Sequence, residues 1–567
     1  MTVNFSLAAR AYPPELDLSS WYTVSDMLRS SLTRLLAVLL TAASAFGSAY
    51  QASPKLVVIL VIDQFRGDYL ERYHDELGPG GFRTFTDRGA YFPACYYDYA
   101  NTRTAPGHAT IGTGTYSSGH GILANEWWVG KRLLSSVDDE STKIVGIEGG
   151  AMGSSPHNLL ADTLGDELRL ATQGNSRVFG VALKDRAAIL PTGFSANGAY
   201  WIDHASGAWV TSTYYTPDAP RWLTAFNSQK HIQKYLNLDW RDAGGNVLGS
   251  TAPHDAPDGT PLDYYELIGR TPYGNDYELE FARELIQQEK LGQGTVTDLL
   301  VLSLSANDLT GHAYGPDSPQ EHAMVLTLDR QLSEFLTFLQ QQYGNRFWVV
   351  FTADHGVAPS NATSLSLHLP AWLMANNDLK AQLNKSLSVM LHKQAEYVRS
   401  ASSPIVFVNH DAFDEKVSEG DAETYIAQAM RDLGFLAAYT KDQLASGEVA
   451  PTAIGRMFVN SYSPYGGWWV MGLPKPFSLS AKDGADHGQA YSYDQHVPLA
   501  FYGSAFKPGI YREQVEPIDL APTLAVMLGI NKPTNCTGHV LTQALNPRGD
   551  APTPTPSAPK PRTEPRP

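Results

Sequence analysis

The chain has 567 residues, 43% of them hydrophobic and 18% charged, so it has enough apolar material for a large core without disulfides. Its 42 basic and 58 acidic residues give a formal charge of -16, which disfavours nucleic acid or an anionic membrane as the main partner. Only Cys95 and Cys536 occur, without zinc-finger spacing, so a metal site must use Asp and His, and we favour two buried thiols over one disulfide.

The N-terminal region carries a pattern typical of a secretion signal. From Met27, two arginines precede an apolar run over residues 35–42, and small residues follow up to Ala49. The run is too short to span a bilayer comfortably, and its flanks favour a signal peptide over a buried core helix. We therefore predict that 1–26 are a misassigned start, that 27–49 are a signal peptide, and that the mature protein is periplasmic or secreted, without a stable membrane span.

Three apolar runs rich in β-branched residues lead to aspartates. Such continuous runs are typical of strands buried on both faces of a parallel sheet. Each strand therefore delivers a carboxylate just beyond its C-terminal end. The runs and their acidic residues are 55–63 with Asp63, 299–305 with Asp308, and 347–352 with Asp354.

Residues 318–343, between the second and third runs, carry apolar side chains at three- and four-residue steps, which predicts an amphipathic helix. Strand, helix and strand in this order predict an α/β protein with a mostly parallel central sheet flanked by helices. Ligands of such sheets bind outside the carboxyl ends of the strands, where the three aspartates fall. We expect the segment 497–502 and the apolar helix through Leu520 and Leu528 to return the chain to the same sheet.

The remaining chain divides by composition. Stretches at about 190–293 and 375–475 are rich in Tyr, Trp, Gly and Pro and lack the pattern of buried strands, so we interpret them as insertions that cap or flank the site. Residues 546–567 are rich in Pro, Thr and Arg without apolar periodicity, and are predicted to be a disordered tail. The folded domain would then span residues 50–545.

Thr104 precedes Ala105-Pro106, and proline is favourable in the first turn of a helix. This places Thr104 at a helix N-terminus, where the ordinary interpretation is a helix cap. The same location offers backbone N–H groups and the positive end of the helix dipole to a phosphate. Beside a metal ion, the threonine hydroxyl could also become a nucleophile.

Lys184, Asp185 and Arg186 end an apolar run that suggests a strand or its end. Period-two alternation predicts that Lys184 and Arg186 share one face, with Asp185 on the other. Two adjacent cations suit the non-bridging oxygens of a phosphate. The alternative is a solvated surface on which Asp185 is their partner.

Further residues suit metal ligation. Three residues separate Asp308 from His312, so a tight loop could present both to one ion. Asp354 and His355 are adjacent, and both can reach one metal only if the strand has ended, as Gly356 permits.

Two metal sites with at least three protein ligands each would need one more histidine. His487 precedes the strand at 497–502 and is the better candidate, because His496 stands at the start of an apolar strand and suits packing. Asp63 taken alone is better explained as a helix N-cap. The combination of these Asp and His residues in one chain favours metal ligation.

Several motifs follow one another between Leu56 and Ile530. They are the Asp63 strand, Thr-x-Pro-Gly-His-Ala-Thr from Thr104, Asn125 in Ala-Asn-Glu-Trp, Lys184-Asp185-Arg186, Asp308 with His312, Asp354-His355-Gly356 and His487-Gly488. Together they resemble the alkaline phosphatase superfamily, which includes the type I phosphodiesterases. The Lys-x-Arg element is similar to the PafA-type bacterial alkaline phosphatases in particular.

By that resemblance, the chain would be a secreted alkaline phosphatase that hydrolyses small-molecule phosphate monoesters through a phosphothreonine, with two zinc ions as cofactors. One zinc would be held by Asp308, His312 and His487, and the other by Asp63, Asp354, His355 and the Thr104 oxygen. Asn125, Lys184 and Arg186 would bind the transferred phosphoryl group. Ligand type and spacing alone leave manganese or iron open.

A charge count favours monoesters. Two Zn²⁺ ions against three aspartates leave one positive charge, and Lys184 and Arg186 raise it to three. A dianionic monoester together with a threonine alkoxide would neutralise this site, whereas a monoanionic diester would not.

Three alternatives remain. A phosphodiesterase or nucleotide pyrophosphatase could use the same metal residues, although a second ester group would sit where Lys184 and Arg186 are expected. A sulfatase would need Cys or Ser in place of Thr104. A non-catalytic periplasmic metal- or phosphate-binding protein would not need that nucleophile at all. The oligomeric state is open, with a monomer favoured.

Overall fold

The computed structural model describes residues 53–255, 259, 261–480 and 484–546. The predicted misassigned start (1–26), the predicted signal peptide (27–49) and all but the first residue of the predicted tail lie outside the described residues.

Twenty-one strands occur among the described residues. They are β1 Leu56–Ile62, β2 Ala90–Tyr96, β3 Glu126–Val129, β4 Arg132–Ser135, β5 Asp138–Val145, β6 Met152–Ser154, β7 Val178–Val181, β8 Gly198–Ile202, β9 Trp209–Ser212, β10 Asp239–Arg241, β11 Val247–Ser250, β12 Asp298–Leu304, β13 Phe347–Thr352, β14 Trp372–Leu373, β15 Val398–Ser402, β16 Ile405–Val408, β17 Ala437–Thr440, β18 Trp469–Leu473, β19 Ser478–Leu479, β20 His496–Tyr502 and β21 Gly509–Ile510.

The central sheet has eleven strands in the described part of the chain, in the order β21-β2-β20-β13-β1-β12-β7-β8-β9-β5-β6. Its middle, from β13 to β8, is parallel, and antiparallel pairs flank it on both sides. Every residue of β1, β12 and β13 is buried, because helices cover both faces of a parallel sheet. The predicted α/β fold with a mostly parallel central sheet is therefore confirmed.

Helices connect and cover the strands. The α-helices are Tyr69–Arg72, Arg83–Arg88, Thr104–Thr113, Ser117–His120, Leu164–Ala171, Asp185–Ile189, Arg221–Ser228, Tyr264–Gly269, Tyr273–Gln288, Ala306–Tyr314, Pro319–Tyr343, Asn361–Ser366, Asn376–Met390, Glu419–Asp432, Lys441–Ser446, Ala453–Asn460, Ser492–Gln495 and Leu520–Leu528. The predicted amphipathic helix begins at Pro319, and the Ser318 hydroxyl accepts from the Glu321 N–H as its cap.

The two stretches interpreted as insertions differ in structure. The first contributes β8 and β9 to the central sheet, so it contains buried strands that its composition did not indicate. The second contains a separate four-stranded sheet in the order β15-β16-β18-β17, which we name the cap sheet. The expected strand at 497–502 does return to the central sheet, as β20, but antiparallel to β13.

Cys95 and Cys536 are both free and buried, as favoured from the sequence. Among the described residues, no helix combines the length and the apolar character needed to cross a bilayer.

Candidate active site

Four neighbouring parallel strands end at the same edge of the central sheet and deliver charged residues there. Asp63 follows β1, Asp308 follows β12, Asp354 follows β13 and Lys184 follows β7. These residues are at most 4% exposed. This edge is where a parallel sheet places its ligands.

Lys184 joins two of the aspartates. Its Nζ lies 2.6 Å from Asp63 Oδ2 and 2.6 Å from Asp308 Oδ2. Burial alone would lower the pKa of Lys184, but the two carboxylates raise it above its ordinary value. Burial, together with the nearby Asp308 and Asp354 carboxylates, raises the pKa of Asp63 well above its usual range. The three carboxylates therefore need positive charge close by.

The strand predicted through Arg186 is wrong. β7 ends at Val181, and Lys184 caps the helix Asp185–Ile189 that contains Arg186. The two cations consequently do not share a strand face. Lys184 is directed at the carboxylates, whereas Arg186 lines a cavity together with Asn125.

The loop predicted for Asp308 and His312 is also wrong. Both lie on the helix Ala306–Tyr314, one turn apart, so they share a helix face. His312 Nε2 lies 3.2 Å from Asp308 Oδ1, and His487 Nε2 lies 3.8 Å from the same oxygen. The helix thus brings together the ligands that a loop was expected to present.

Three histidines are oriented in the same way. Each donates its Nδ1–H to a backbone carbonyl: His312 to Ala485 at 2.9 Å, His355 to Gly356 at 2.9 Å and His487 to Thr102 at 2.7 Å. A carbonyl can only accept, so each Nδ1 carries a proton, and in the neutral form of each ring Nε2 keeps its lone pair. Metal-ligating histidines are held by this kind of outer hydrogen bond.

The Nε2 atom of His355 faces two carboxylates. It lies 3.3 Å from Asp354 Oδ2 and 3.5 Å from Asp63 Oδ1. All three atoms are buried and have no hydrogen-bond partner, and burial lowers the pKa of His355, which favours the neutral ring. Three acceptors facing one another without a donor are costly unless a cation lies between them.

The site residues form overlapping groups that could hold metal ions. Within each group, one ligand atom per residue lies within 4.8 Å of the others. The groups are Asp63 with Asp354 and His355, Asp308 with His355 and His487, and His312 with Asp486 and His487. His496 is not in them, because it begins β20 and its Nε2 contacts the Pro93 carbonyl at 2.7 Å. The donor set is the Asp and His chemistry of catalytic zinc sites.

Thr104 is the first residue of the helix Thr104–Thr113, with Arg103 at the N-cap position. The alternative in which Thr104 itself caps the helix is therefore wrong. The threonine is 2% exposed and lies where the N-terminal N–H groups and the helix dipole favour an anion. His108, one turn later, donates to the Thr104 carbonyl at 2.8 Å and contacts the Ser303 hydroxyl at 2.8 Å.

Asn125 is oriented by the same helix. Its Oδ1 accepts the backbone N–H of Ala105 at 2.8 Å, which fixes the amide so that Nδ2 is the group left to donate to a ligand. Asn125 and Arg186 both line a cavity of about 720 Å³. The Nε of Arg186 is buried and has no hydrogen-bond partner. An amide donor and a guanidinium donor thus serve one cavity of small-molecule size.

Sequence reasoning missed several residues of the site. Gln64 donates to Asp308 at 2.7 Å, and Asp486 belongs to one of the groups that could hold a metal ion. Both adjoin predicted ligands, and that adjacency was an available signal. Glu278 accepts from the Leu183 and Ser305 N–H groups at 2.7 and 3.1 Å, joining the ends of β7 and β12, and burial raises its pKa to about 8. No local pattern distinguishes Glu278 in its helix.

Comparisons with known proteins cover most of the chain. Residues 57–450 match the family model described as type I phosphodiesterase/nucleotide pyrophosphatase. A calcium-transporting ATPase of Myroides odoratus is 34% identical over 87% of this chain and 95% of its own length. Alkaline phosphatase PafA of Elizabethkingia meningoseptica is 33% identical, covering 87% and 94% of the two chains, and alkaline phosphatase PhoV of Synechococcus elongatus is 32% identical, covering 87% and 93%.

A solved structure of wild-type PafA aligns with 87% of this chain and 99% of its own, at 30% identity and a TM-score of 0.79. The chain therefore belongs to the type I phosphodiesterase/nucleotide pyrophosphatase family, among the PafA-type alkaline phosphatases, and is a phosphoric ester hydrolase.

Proposed function

We propose that this protein is a secreted phosphate monoesterase that uses two zinc ions and Thr104 as its nucleophile. The observation that carries the proposal is the set of buried acceptors formed by Asp63 Oδ1, Asp354 Oδ2 and His355 Nε2, which have no donor of their own. The N-terminus of the Thr104 helix packs against the same Asp354. Secretion rests on the signal-like pattern at residues 27–49.

Two sets of residues would hold the metals. Asp63, Asp354, His355 and the Thr104 oxygen would form one site, and Asp308, His312 and His487 the other. The oriented Nε2 lone pairs and the partnerless carboxylate oxygens fit such cations. Two zinc ions would lower the pKa of the nucleophile and stabilise the leaving oxygen.

The protein residues then have defined tasks. The Thr104 hydroxyl gives its proton to solvent and its oxygen attacks phosphorus. A P–O bond to threonine forms, and the P–O bond to the leaving alcohol breaks in line with it. The alcohol takes a proton from solvent, and water then releases phosphate from the threonine. Asn125 Nδ2 and the Arg186 guanidinium donate to the non-bridging oxygens, and Lys184 supplies positive charge between them and the carboxylates.

A variant of PafA supports this assignment of residues. Its structure carries substitutions of a threonine, an asparagine, a lysine and an arginine, in the same order as Thr104, Asn125, Lys184 and Arg186. The intervals between threonine and asparagine and between lysine and arginine are also the same. These four positions were substituted together in that enzyme, and we group Thr104, Asn125, Lys184 and Arg186 in the same way in this chain.

The test compares kcat/KM for a phosphate monoester and a diester that share one leaving group, in wild type and in the Lys184→Ala/Arg186→Ala variant. We expect the monoester to lead in wild type and the variant to lose that lead, because both cations act on charge that a diester lacks. Thr104→Ala should abolish turnover, and Thr104→Ser should retain part of it. Full activity in Thr104→Ala would refute the nucleophile.

The second candidate is a phosphodiesterase, which the matching family model favours. A wild-type enzyme that prefers the diester would establish that function and show that the role given to Lys184 and Arg186 is wrong. ATP belongs in the same assay, since one relative is named an ATPase. A preference for ATP over the monoester would move the substrate class to phosphoanhydrides.

A further inference from the structure

One strand of the cap sheet, β15 (Val398–Ser402), lies along the cavity that Asn125 and Arg186 line. Ser400, Ala401 and Ser402 all contribute to its wall. The cap sheet is therefore part of the site, although its sequence carries none of the predicted catalytic residues. Hydrogen bonds connect the cap sheet to the groups proposed to perform the chemistry.

The main connection is Arg103, the residue directly before Thr104. Its Nη2 donates to the Ser402 hydroxyl at 2.9 Å and to the Ser403 carbonyl at 2.5 Å. These acceptors belong to the end of β15 and the turn that follows it. The N-cap of the nucleophile helix is thus hydrogen-bonded directly to the cap sheet.

The same guanidinium extends the connection to Asn125. Arg103 Nε donates to Asn101 Oδ1 at 3.1 Å, and Asn101 Nδ2 donates to the Leu123 carbonyl, two residues before Asn125. The guanidinium also lies against Gly488, next to His487, where an added Cβ would come within 3.2 Å of Arg103 Nε. One side chain therefore contacts the cap strand, the loop before Asn125 and the segment after a metal-ligand candidate.

A second contact holds the hairpin that follows Asn125. Trp128 of β3 donates its Nε1–H to the Ser400 hydroxyl at 2.8 Å. The Arg399 guanidinium lies 5.2 Å from the centre of the Trp128 ring and donates to the Gly130 carbonyl at 2.9 Å. β15 consequently holds the elements on both sides of the cavity, with Arg103 at one end and Trp128 nearer its middle.

We infer that Arg103 is a positioning residue, which aligns Thr104 and Asn125 by anchoring the nucleophile helix to β15 of the cap sheet. The inference rests on the proposed phosphatase function of the same site. Arg103 is suited to this task because its planar guanidinium can reach several acceptors at fixed angles, whereas a lysine ammonium at the same place reaches fewer. Arg103 also lines the cavity, but its Nε and Nη2 donate to protein acceptors, so we assign it alignment of the reacting groups.

The test measures kcat/KM for a monoester and the inhibition constant of inorganic phosphate in Arg103→Lys. We expect kcat/KM to fall on the order of 10²-fold, the effect of a misalignment of about 1 Å. The phosphate inhibition constant should rise much less than kcat/KM falls, because Lys184 and Arg186 keep their own contacts and only Asn125 among the phosphate-binding groups loses its alignment. A parallel loss of both quantities would instead show that Arg103 binds phosphate directly and would overturn the inference.

Ser402→Ala keeps the test decisive if Arg103→Lys folds poorly. It removes one hydroxyl acceptor and should lower kcat/KM less than Arg103→Lys does. The double variant should have the same kcat/KM as Arg103→Lys, because the two changes remove the same contact. Additive losses in this cycle would contradict the anchoring. Arg456→Lys is the matched control, since Arg456 is 62% exposed and pairs with Asp98 at the surface.

Hydrogen exchange separates this inference from the proposed function. Loss of the anchor should lower the protection of β15 and of the first turn of the Thr104 helix, whatever the substrate is. An inactive wild type would refute the phosphatase proposal while leaving this measurement informative. An active wild type whose Arg103→Lys variant keeps both full turnover and full protection would refute the role of Arg103 alone.

Discussion

Gly107 and Asp354 are in direct contact through their backbones. A Cβ atom at position 107 would lie 2.3 Å from the Asp354 carbonyl oxygen and 2.8 Å from the Asp354 Cβ. This contact brings the first turn of the nucleophile helix onto the end of β13, where a predicted metal ligand stands. His108, the next residue, has its Nδ1 3.3 Å from Asp354 Oδ2. Gly107 therefore allows the nucleophile helix to pack against Asp354, and His108 places a ring nitrogen beside the carboxylate of the same residue.

Gly107→Ala should displace Thr104 from the metal-binding groups. The added methyl group would meet the backbone of Asp354, which cannot rotate away as a side chain could. The helix must therefore move. We expect kcat/KM for a monoester to fall on the order of 10²-fold and the free energy of unfolding to fall by about 1–3 kcal/mol. Gly294→Ala is the control, because nothing lies within 4 Å of the added Cβ there. Equal activity in the two variants would contradict the contact's importance.

Removal of metal should abolish turnover and reduce stability together. Without a cation, Asp63, Asp354 and His355 keep buried acceptors that have no partner. Chelated protein should therefore show a lower Tm and no monoesterase activity, and added Zn²⁺ should restore both. Metal content, Tm and activity are measured on the same samples. Turnover that persists in protein shown to be metal-free would exclude the proposed mechanism.

Asn125→Asp should test which atom of Asn125 contacts substrate. The aspartate keeps an oxygen for the Ala105 N–H, but it replaces the donor with negative charge facing the phosphate. We expect kcat/KM to fall at least as far as in Asn125→Ala, on the order of 10²-fold or more. The comparison uses steady-state kinetics on one monoester. A higher kcat/KM in Asn125→Asp than in Asn125→Ala would mean that Asn125 contributes to catalysis only through its hydrogen bond to Ala105.

His120 should make the protein less stable in acid. It is buried, its Nδ1 accepts from the Ile122 N–H at 3.1 Å, and burial lowers its pKa to about 3. Below the unfolded pKa of about 6.5 the unfolded chain binds a proton that the folded chain does not. This contribution to stability is present above pH 6.5 and is lost at about 1.4 kcal/mol per pH unit as the pH falls.

His120→Asn keeps an acceptor near Ile122 but does not titrate. Urea unfolding at pH 7, 6 and 5 should show that the difference in free energy between wild type and variant shrinks as the pH falls. A difference that stays constant over this range would show that His120 titrates normally in the folded protein.

Local sequence patterns predicted the three buried strands that lead to Asp63, Asp308 and Asp354, because continuous β-branched runs report burial on both faces. They also predicted the long helix at Pro319–Tyr343 and the helix start at Thr104. They failed at Lys184 and Arg186, where three consecutive charged residues follow the end of β7 and lead into a helix. Helix and strand periods cannot be told apart over three residues.

The sequence by itself determined the three buried strands at the middle of the sheet, the order of the site residues and the resemblance to a phosphatase family, because these depend on local runs and motifs along the chain. Only the tertiary structure decided that Arg103 meets Ser402, that Gly107 meets Asp354, and that His355 faces two carboxylates without a donor. Each of these contacts involves residues that lie more than two hundred positions apart in the chain. Side-chain direction at such a meeting point is decided by packing, which no local pattern records.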